Sequence, residues 1–580
     1  MAGSIRVDTD IPLQMRDGTI LRADVYRPDD SARHPAIVVR TPYSKLLSGQ
    51  SDYLSAVRAA LAGYAFVVQD TRGRFASEGE FLPGMPEGPD GYDTVEAVAA
   101  EPWCDGNVGM FGSSYLARNQ WQAALENPPH LRAIAPSIGT SGPLSDTRLA
   151  GVVDLEQSIS WFTAMAIDML ERQRRQGKDV TRAREMLDRA RFNLREVYEY
   201  LPLREIPHFQ FEGLSEAFRV RMTDDLPPGI KTEADLFWDY SRVQVPCFHA
   251  AGWYDIFTGS LFRNFNGMRE HGATALAREG QYLVCGPWSH GSNLLAYVGG
   301  LHFGPAGAGL ATFIMERHLT FFDRYLRGIE GRPMAPVRYF VMGLNRWRNA
   351  ETWPLPETQW QRFYLHSRGH ANSAGGDGWL SRDEPGPEPP DTYHYDPLKP
   401  VPTVGGRVLP TGSLVPGPFD QVRVEARPDV LCYTTPPLEE PLEVTGPLVL
   451  HLFASTSARD TDFVAKLVDV YPDGAAYNVA EGYIRARYRN SVLKADFVEP
   501  GRPYEFVIDL AATSIIFGPG HRIRIDITSS NFPRIDRNMN TGNDFGVDAS
   551  GVVAEQTIYH QPDLASYIDL PVQPAPGTTR

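Results

Sequence analysis

The stretch Asn107-Val-Gly-Met-Phe-Gly-Ser-Ser-Tyr-Leu-Ala117 decides how this chain is read. Val108–Phe111 is a short apolar run fit for a buried strand. Gly112-Ser113-Ser114-Tyr115 follows as a tight turn, and a helical pattern continues through Gln120 and Ala123. A strand that turns sharply into a helix, with small residues beside a serine, exposes the hydroxyl on a strained backbone. The helix N-terminus behind it favours developing negative charge. Counting from Gly112 selects Ser114 rather than Ser113. The GxSxG pattern is incomplete, because Leu116 holds its last position. A Gly-Ser turn that only caps a helix fits the same residues.

Outward from this turn, strand and helix patterns alternate. Residues 6–27 alternate around Asp17-Gly18, a hairpin signal. Ala36–Arg40 and Ala65–Gln69 read as buried parallel strands, with helical spacing at Tyr53–Leu61 and Asp93–Ala100. Such alternation predicts a doubly wound α/β sheet. From about residue 146 to 243 the pattern is helical only, as at Ile159–Gln173 and Val180–Leu201. Strands resume at Val245–Ala250 and Gln281–Val284, and a helix near Phe313–Arg327 stops at Gly328. Past residue 356 the chain changes again. Gly, Pro and Asp crowd residues 369–420, which predicts long loops. Short strands follow at Leu448–Phe453, Phe463–Tyr471, Tyr504–Leu510 and His521–Thr528. In the last, Ile523, Ile525 and Ile527 share one face, with Arg522, Arg524 and Asp526 on the other. Many short strands with turn signals predict a β-sandwich. No internal repeat is found. The expected organisation is an α/β unit at 1–145 and 244–355, a helical insertion at 146–243 and an all-β unit at 356–580.

Composition narrows the functions available. A chain of 580 residues has room for two to four domains. The net charge of −15, with no Lys/Arg run, argues against a nucleic-acid partner. Cys104, Cys247, Cys285 and Cys432 form no CxxC or other metal-like spacing, so neither a metal nor a cofactor is expected. Few cysteines in so long a chain suggest a reducing compartment. The first twenty residues lack an apolar signal core, and no stretch reaches the roughly 18 apolar residues of a membrane span. The expectation is a cytoplasmic enzyme with no membrane contact, acting on a small molecule; a homodimer is compatible with it.

Two further segments give Ser114 its partners. Asp255 lies just past the strand in Val245-Pro-Cys-Phe-His-Ala-Ala-Gly-Trp-Tyr-Asp255, and His290 just past Tyr282-Leu-Val-Cys-Gly-Pro-Trp-Ser-His290. Sites on doubly wound sheets gather at the carboxyl ends of strands. The chain order Ser, Asp, His is that of α/β-hydrolases. Serine is a weak nucleophile and needs a base, for which imidazole suits neutral pH. A carboxylate fixes the imidazole tautomer and stabilises its cation. His249 is a rival base, but its apolar strand suits a core histidine better. Asp255 taken alone also fits a turn or cap.

These segments resemble the cocaine esterase / X-Pro dipeptidyl-peptidase group of serine hydrolases, most closely its cocaine-esterase branch. The matching pieces are RTPYSK at 40–45, QDTRGRFASEGEF at 69–81, DGNVGMFGSSYLA at 105–117, AGWYDIF at 251–257, GPWSH at 286–290 and SSNFPRIDRNMNTG at 529–542. The group has Gly where this chain has Ala117. The resemblance implies an α/β-hydrolase domain with an inserted helical cap and a C-terminal jelly roll. It implies a triad of Ser114, Asp255 and His290. It also implies an oxyanion hole from the Tyr43 hydroxyl and the Tyr115 backbone N–H. Tyr43 follows the strand Ala36–Arg40 and Pro42, so its hydroxyl can reach over the strand ends, although without the resemblance the residues favour a surface tyrosine packing on Pro42. Trp161, Phe162 and Phe257 are expected in a substrate pocket, though aromatics at helical spacing are often plain core. Asp70 and Arg72 are expected to pair with each other or to hold loops around the site. Arg534, Asp536 and Arg537 are expected to bond back to the catalytic domain.

The substrate expected is an ester or amide, first a carboxylic ester with an aromatic or other uncharged acyl group. An α-amino-acid ester or β-lactam acyl group, or an X-Pro dipeptide, is the alternative. Reading a substrate ammonium requires carboxylates near the nucleophile, and Tyr115, Leu116, Ala117 and Arg118 supply none. A non-catalytic, carbohydrate-binding jelly-roll protein is the rival of another class.

Overall fold

The computed structural model describes residues 4–49, 51, 53–81, 87–223, 225–291, 293–411 and 413–574. The extreme ends of the first and last expected units lie outside them. The first sheet has ten strands among the described residues. They begin β1 (Ile5–Gln14), β2 (Ile20–Pro28), β3 (His34–Thr41), β4 (Ala65–Asp70) and β5 (Cys104–Ser113). They continue β6 (Leu131–Ser137), β7 (Cys247–Tyr254), β8 (Gln281–Ser289), Val337–Val341 and Arg346–Ala350. In space the order is β1-β2-β4-β3-β5-β6-β7-β8, then the last two. From β4 through Val337–Val341 all pairings are parallel, and antiparallel strands close both edges. Every residue of β4 and all of β3 except His34 is buried, as strands covered on both faces must be.

Between Ser137 and Cys247 the described residues form no strand. The longest helix there is Leu155–Arg175, which packs with later helices around Phe162, Leu187, Phe209 and Phe218. The helical pattern at Val180–Leu201 is two helices, Thr181–Phe192 and Leu194–Glu199. They part at Asn193, whose backbone, at φ −142° and ψ 59°, leaves the helical region.

Among the described residues the last unit forms an eleven-stranded, almost wholly antiparallel sheet whose strands share one apolar core, with Ile523, Ile525 and Ile527 inside it. The opposite face of that strand is covered too. Arg524 and Asp526 are buried, and Arg524 pairs with Glu425, the last residue of the short helix Val422–Glu425. Buried Arg407 ties this unit to the first sheet, donating to the Trp253 carbonyl as well as to those of Leu510 and Ala512.

The helical insertion is also pinned to the β unit. Arg534 pairs with Asp154, Asp536 accepts from the Val153 N–H at 3.0 Å, and Arg537 donates to the Glu199 carbonyl at 2.7 Å. These residues were expected to reach the catalytic domain; they hold the insertion instead. Both Arg534 and Asp154 are almost fully buried. Arg534→Met therefore leaves a buried carboxylate without its cation, and the loss in unfolding free energy should be about 3–5 kcal/mol. Denaturant titration of the two proteins checks this; an unchanged midpoint would mean that the pair contributes nothing.

Candidate active site

The strand β5 ends in the serine turn. Ser114 has φ 60° and ψ −120°, a backbone region that side-chain-bearing residues rarely adopt. It caps the helix Tyr115–Leu125, and its carbonyl accepts from the N–H groups of Ala117 and Arg118. Gly112, at φ 145°, is required here. A Cβ on it would lie 2.5 Å from the Leu116 Cβ, so the missing side chain makes room for Leu116. Ala117 is accommodated similarly: Gly139 faces it, and a Cβ there would come within 2.6 Å of the Ala117 Cβ. Gln120 locks the turn in place. Its amide donates to the carbonyls of Gly112 and Leu116, and its oxygen accepts from the Ala135 N–H in β6.

Asp255 follows β7 and His290 follows β8, so both stand at the same carboxyl edge as Ser114. His290 Nε2 is 2.9 Å from Ser114 Oγ, and His290 Nδ1 is 2.9 Å from Asp255 Oδ2. Asp255 is fully buried, and its Oδ1 accepts from the Phe257 N–H at 2.8 Å. One carboxylate oxygen is thus anchored to backbone while the other holds the imidazole. This arrangement can take a proton from the serine and stabilise the resulting imidazolium. His249 is not part of it. It is bonded to Gln281 at 2.8 Å, stacked near Trp121, and pushed down to about 4 by burial, a neutral core histidine.

Tyr43 lies just past β3 and borders the same cleft as Ser114. Its hydroxyl oxygen accepts from Trp161 Nε1 at 3.0 Å. A hydroxyl that accepts keeps its own proton to donate. The indole of Trp161 also stacks on Tyr115, with ring centres 6.1 Å apart and planes at 18°. The Tyr115 hydroxyl points elsewhere and donates to Glu87 at 2.7 Å. Its backbone N–H is the first of the helix, a group with no partner inside the helix. The turn carrying Tyr43 is held by Arg74, which sequence reasoning passed over. This buried arginine donates to the carbonyls of Pro42 and Met165 and lies 3.4 Å from Asp168. It joins the Tyr43 turn to the helix that carries Trp161. Its only signal was the second arginine of the QDTRGRFASEGEF stretch at 69–81, two residues after Arg72.

Arg72 and Asp70 do not pair with each other. Arg72 bridges Asp90 and Asp17, while Asp70 accepts from the N–H groups of Lys45 and Ala76. Both hold loops, as expected, through different partners.

The cleft above Ser114 holds about 1300 Å³. Trp161 and Phe257 line it, the latter with its ring 5.5 Å from that of His290. Phe162 does not. It is fully buried against Phe209 and Phe218 in the helical insertion. Neighbours on a helix point about 100° apart, and here Trp161 takes the cleft side while Phe162 turns into the core of the insertion. Among the described residues no cluster suited to a metal ion occurs, and no helix is long and apolar enough to cross a membrane.

A relay of this kind on the carboxyl edge of this sheet makes the protein a serine hydrolase built on the α/β-hydrolase fold. Residues 17–292 match the model of the X-Pro dipeptidyl-peptidase (S15) family, and residues 332–569 match the X-Pro dipeptidyl-peptidase C-terminal non-catalytic domain. The chain is 39% identical over 599 residues to cocaine esterase from Rhodococcus sp. (strain MB1 Bresler), an alignment covering 98% of this chain and 99% of that one. It belongs to this family. Among solved structures, an aminopeptidase from a marine sediment Thaumarchaeota archaeon superposes with TM-score 0.78 at 23% identity, covering 99% of this chain and 97% of that one. An α-amino acid ester hydrolase superposes with TM-score 0.74 at 24% identity, with the same coverage. Both share the fold.

Proposed function

We propose that the chain hydrolyses carboxylic esters with an aromatic or other uncharged acyl group through an acyl-enzyme on Ser114. The observation that carries this reading is the hydrogen-bonded series Asp255–His290–Ser114 opening onto a cleft walled by Trp161, Phe257, Leu116 and Ile138. Ser114 Oγ attacks the ester carbonyl and passes its proton to His290 Nε2. Asp255 keeps the other imidazole proton on Nδ1. The oxyanion is met by the Tyr43 hydroxyl and the Tyr115 N–H. As the tetrahedral intermediate collapses, His290 protonates the departing alcohol; water then enters by the same route and frees the acid and Ser114. The C-terminal unit fits the family's jelly roll. Four buried, unpaired cysteines fit a reducing compartment such as the cytoplasm.

A panel of nitrophenyl esters with graded acyl groups tests the reading, beside aminoacyl esters and X-Pro nitroanilides. Faster turnover of uncharged aromatic acyl esters supports it; turnover confined to aminoacyl or X-Pro substrates overturns it.

Tyr43→Phe probes the oxyanion side. The ring stays; the hydroxyl is lost, and with it the acceptor of the Trp161 Nε1–H. A donor acting on the oxyanion alone should lower kcat by roughly 10²–10³ with little change in KM. Steady-state kinetics at saturating ester decide it. Full kcat with a weakened KM would make Tyr43 a pocket wall.

A further inference from the structure

The helix behind the nucleophile carries a cation that neither the relay nor the fold uses. Arg118 sits one turn beyond Ser114, its N–H donating to the Ser114 carbonyl at 3.2 Å, and its side chain borders the same cleft. One turn separates the two residues by about 6 Å along the axis. Among the described residues its guanidinium makes no hydrogen bond or ion pair. The acid facing it, Glu87, is already engaged by Arg40 at 3.0 Å and by the Tyr115 hydroxyl at 2.7 Å. Tyr115 is its other neighbour of note.

The position is unfavourable for an arginine that only fills space. It lies in the first turn of a helix, where the macrodipole repels cations. Burial also disfavours its charge, pushing its pKa below the ordinary arginine value. A guanidinium nonetheless stays protonated. A part-buried cation normally finds an anion. The acids elsewhere on the cleft wall do not serve. Asp154 is paired with Arg534 and accepts from Ser145, while Glu216 and Asp225 are exposed.

We propose that Arg118 binds a carboxylate on the substrate, so that the preferred esters are anionic. This rests on the esterase reading above and narrows its substrate class. A planar fork of donors matches a carboxylate in two parallel bonds. The charge can reside on either half of the ester, and two substrate pairs separate the cases. On the acyl side the pair is the 4-nitrophenyl monoester of glutaric acid and 4-nitrophenyl pentanoate. On the alcohol side it is the phenylacetyl esters of 3-hydroxybenzoic acid and 3-hydroxybenzamide.

The readout is the ratio of kcat/KM, anionic over neutral, within each pair. In at least one pair it should be roughly 10- to 100-fold in the natural protein, as for a hydrogen bond to a charged group. The ratio should fall to about one in Arg118→Met and Arg118→Gln, and Arg118→Lys should keep part of it. Preference in the acyl pair would replace the uncharged acyl group of the esterase reading by a charged one. No preference in either pair, or a preference that survives both neutral substitutions, overturns the proposal. Failure of the esterase reading shows differently, as no turnover of any of the four esters. Calorimetry then still reads Arg118. Glutarate or 3-hydroxybenzoate should bind the natural protein roughly 10-fold tighter than Arg118→Met, whereas equal binding overturns the proposal.

Discussion

Ser114→Ala should lower kcat toward nitrophenyl esters by on the order of 10⁶, leaving the residual acceleration that binding and the oxyanion donors supply. The substitution removes one oxygen. The backbone at φ 60° is held by the Ser114 N–H on the Ser137 carbonyl and by the helix behind it, neither of which involves the hydroxyl. Circular dichroism and thermal melting should therefore match the natural protein. A fluorophosphonate probe should label the natural protein once, on Ser114, and the variant not at all. Turnover within tenfold of the natural protein would exclude Ser114 as nucleophile. Labelling at Ser113 would shift the assignment by one; the Ser113 hydroxyl is buried without a hydrogen-bond partner and does not meet His290.

What the sequence disclosed follows a physical rule. The Ser114 turn, Asp255 and His290 were legible because each is the end of a strand whose apolar run can be read locally. The chain order and the strand-end rule then place them together. The three-part organisation was legible because alternating, helix-only and strand-only patterns differ in period. Partner choice was not legible. Trp161 and Phe162 carry the same apolar signal, and only packing of the helix Leu155–Arg175 decides which of them meets the cleft. Arg524 and Asp526 read only as the face opposite the isoleucines; that Glu425, at the end of the helix Val422–Glu425 about a hundred residues earlier, pairs with Arg524 there has no local signal. Arg74 drew no reading of its own from the sequence. Its bonds to Pro42 and Met165 span 32 and 91 residues, distances at which no local pattern informs. Arg118 was visible as a neighbour of Ser114. That its guanidinium makes no hydrogen bond or ion pair among the described residues is a property of the folded surroundings alone.

Asp255→Asn should cost about 10⁴ in kcat, by a route that the local hydrogen bonds specify. Asp255 Oδ1 accepts from the Phe257 N–H at 2.8 Å, and Oδ2 faces His290 Nδ1 at 2.9 Å. Asparagine has one oxygen. If that oxygen serves the buried Phe257 N–H, whose loss would be costly, the amide NH₂ is turned toward His290. His290 Nδ1 must then accept, and its proton moves to Nε2, the atom facing Ser114 Oγ. The base is now a donor toward the serine and cannot take its proton. The fold should change little, because the side chains are nearly isosteric and the fully buried position loses a charge rather than gaining one. Melting temperature, kcat, and the rate of fluorophosphonate labelling at Ser114 separate the alternatives. A stable variant that labels far more slowly and turns over about 10⁴-fold more slowly confirms that Asp255 sets the tautomer. A variant that keeps kcat within tenfold would mean that the Phe257 N–H yields and the asparagine oxygen stays on His290. In that case Asp255 contributes only the negative charge, and its part in the relay is small.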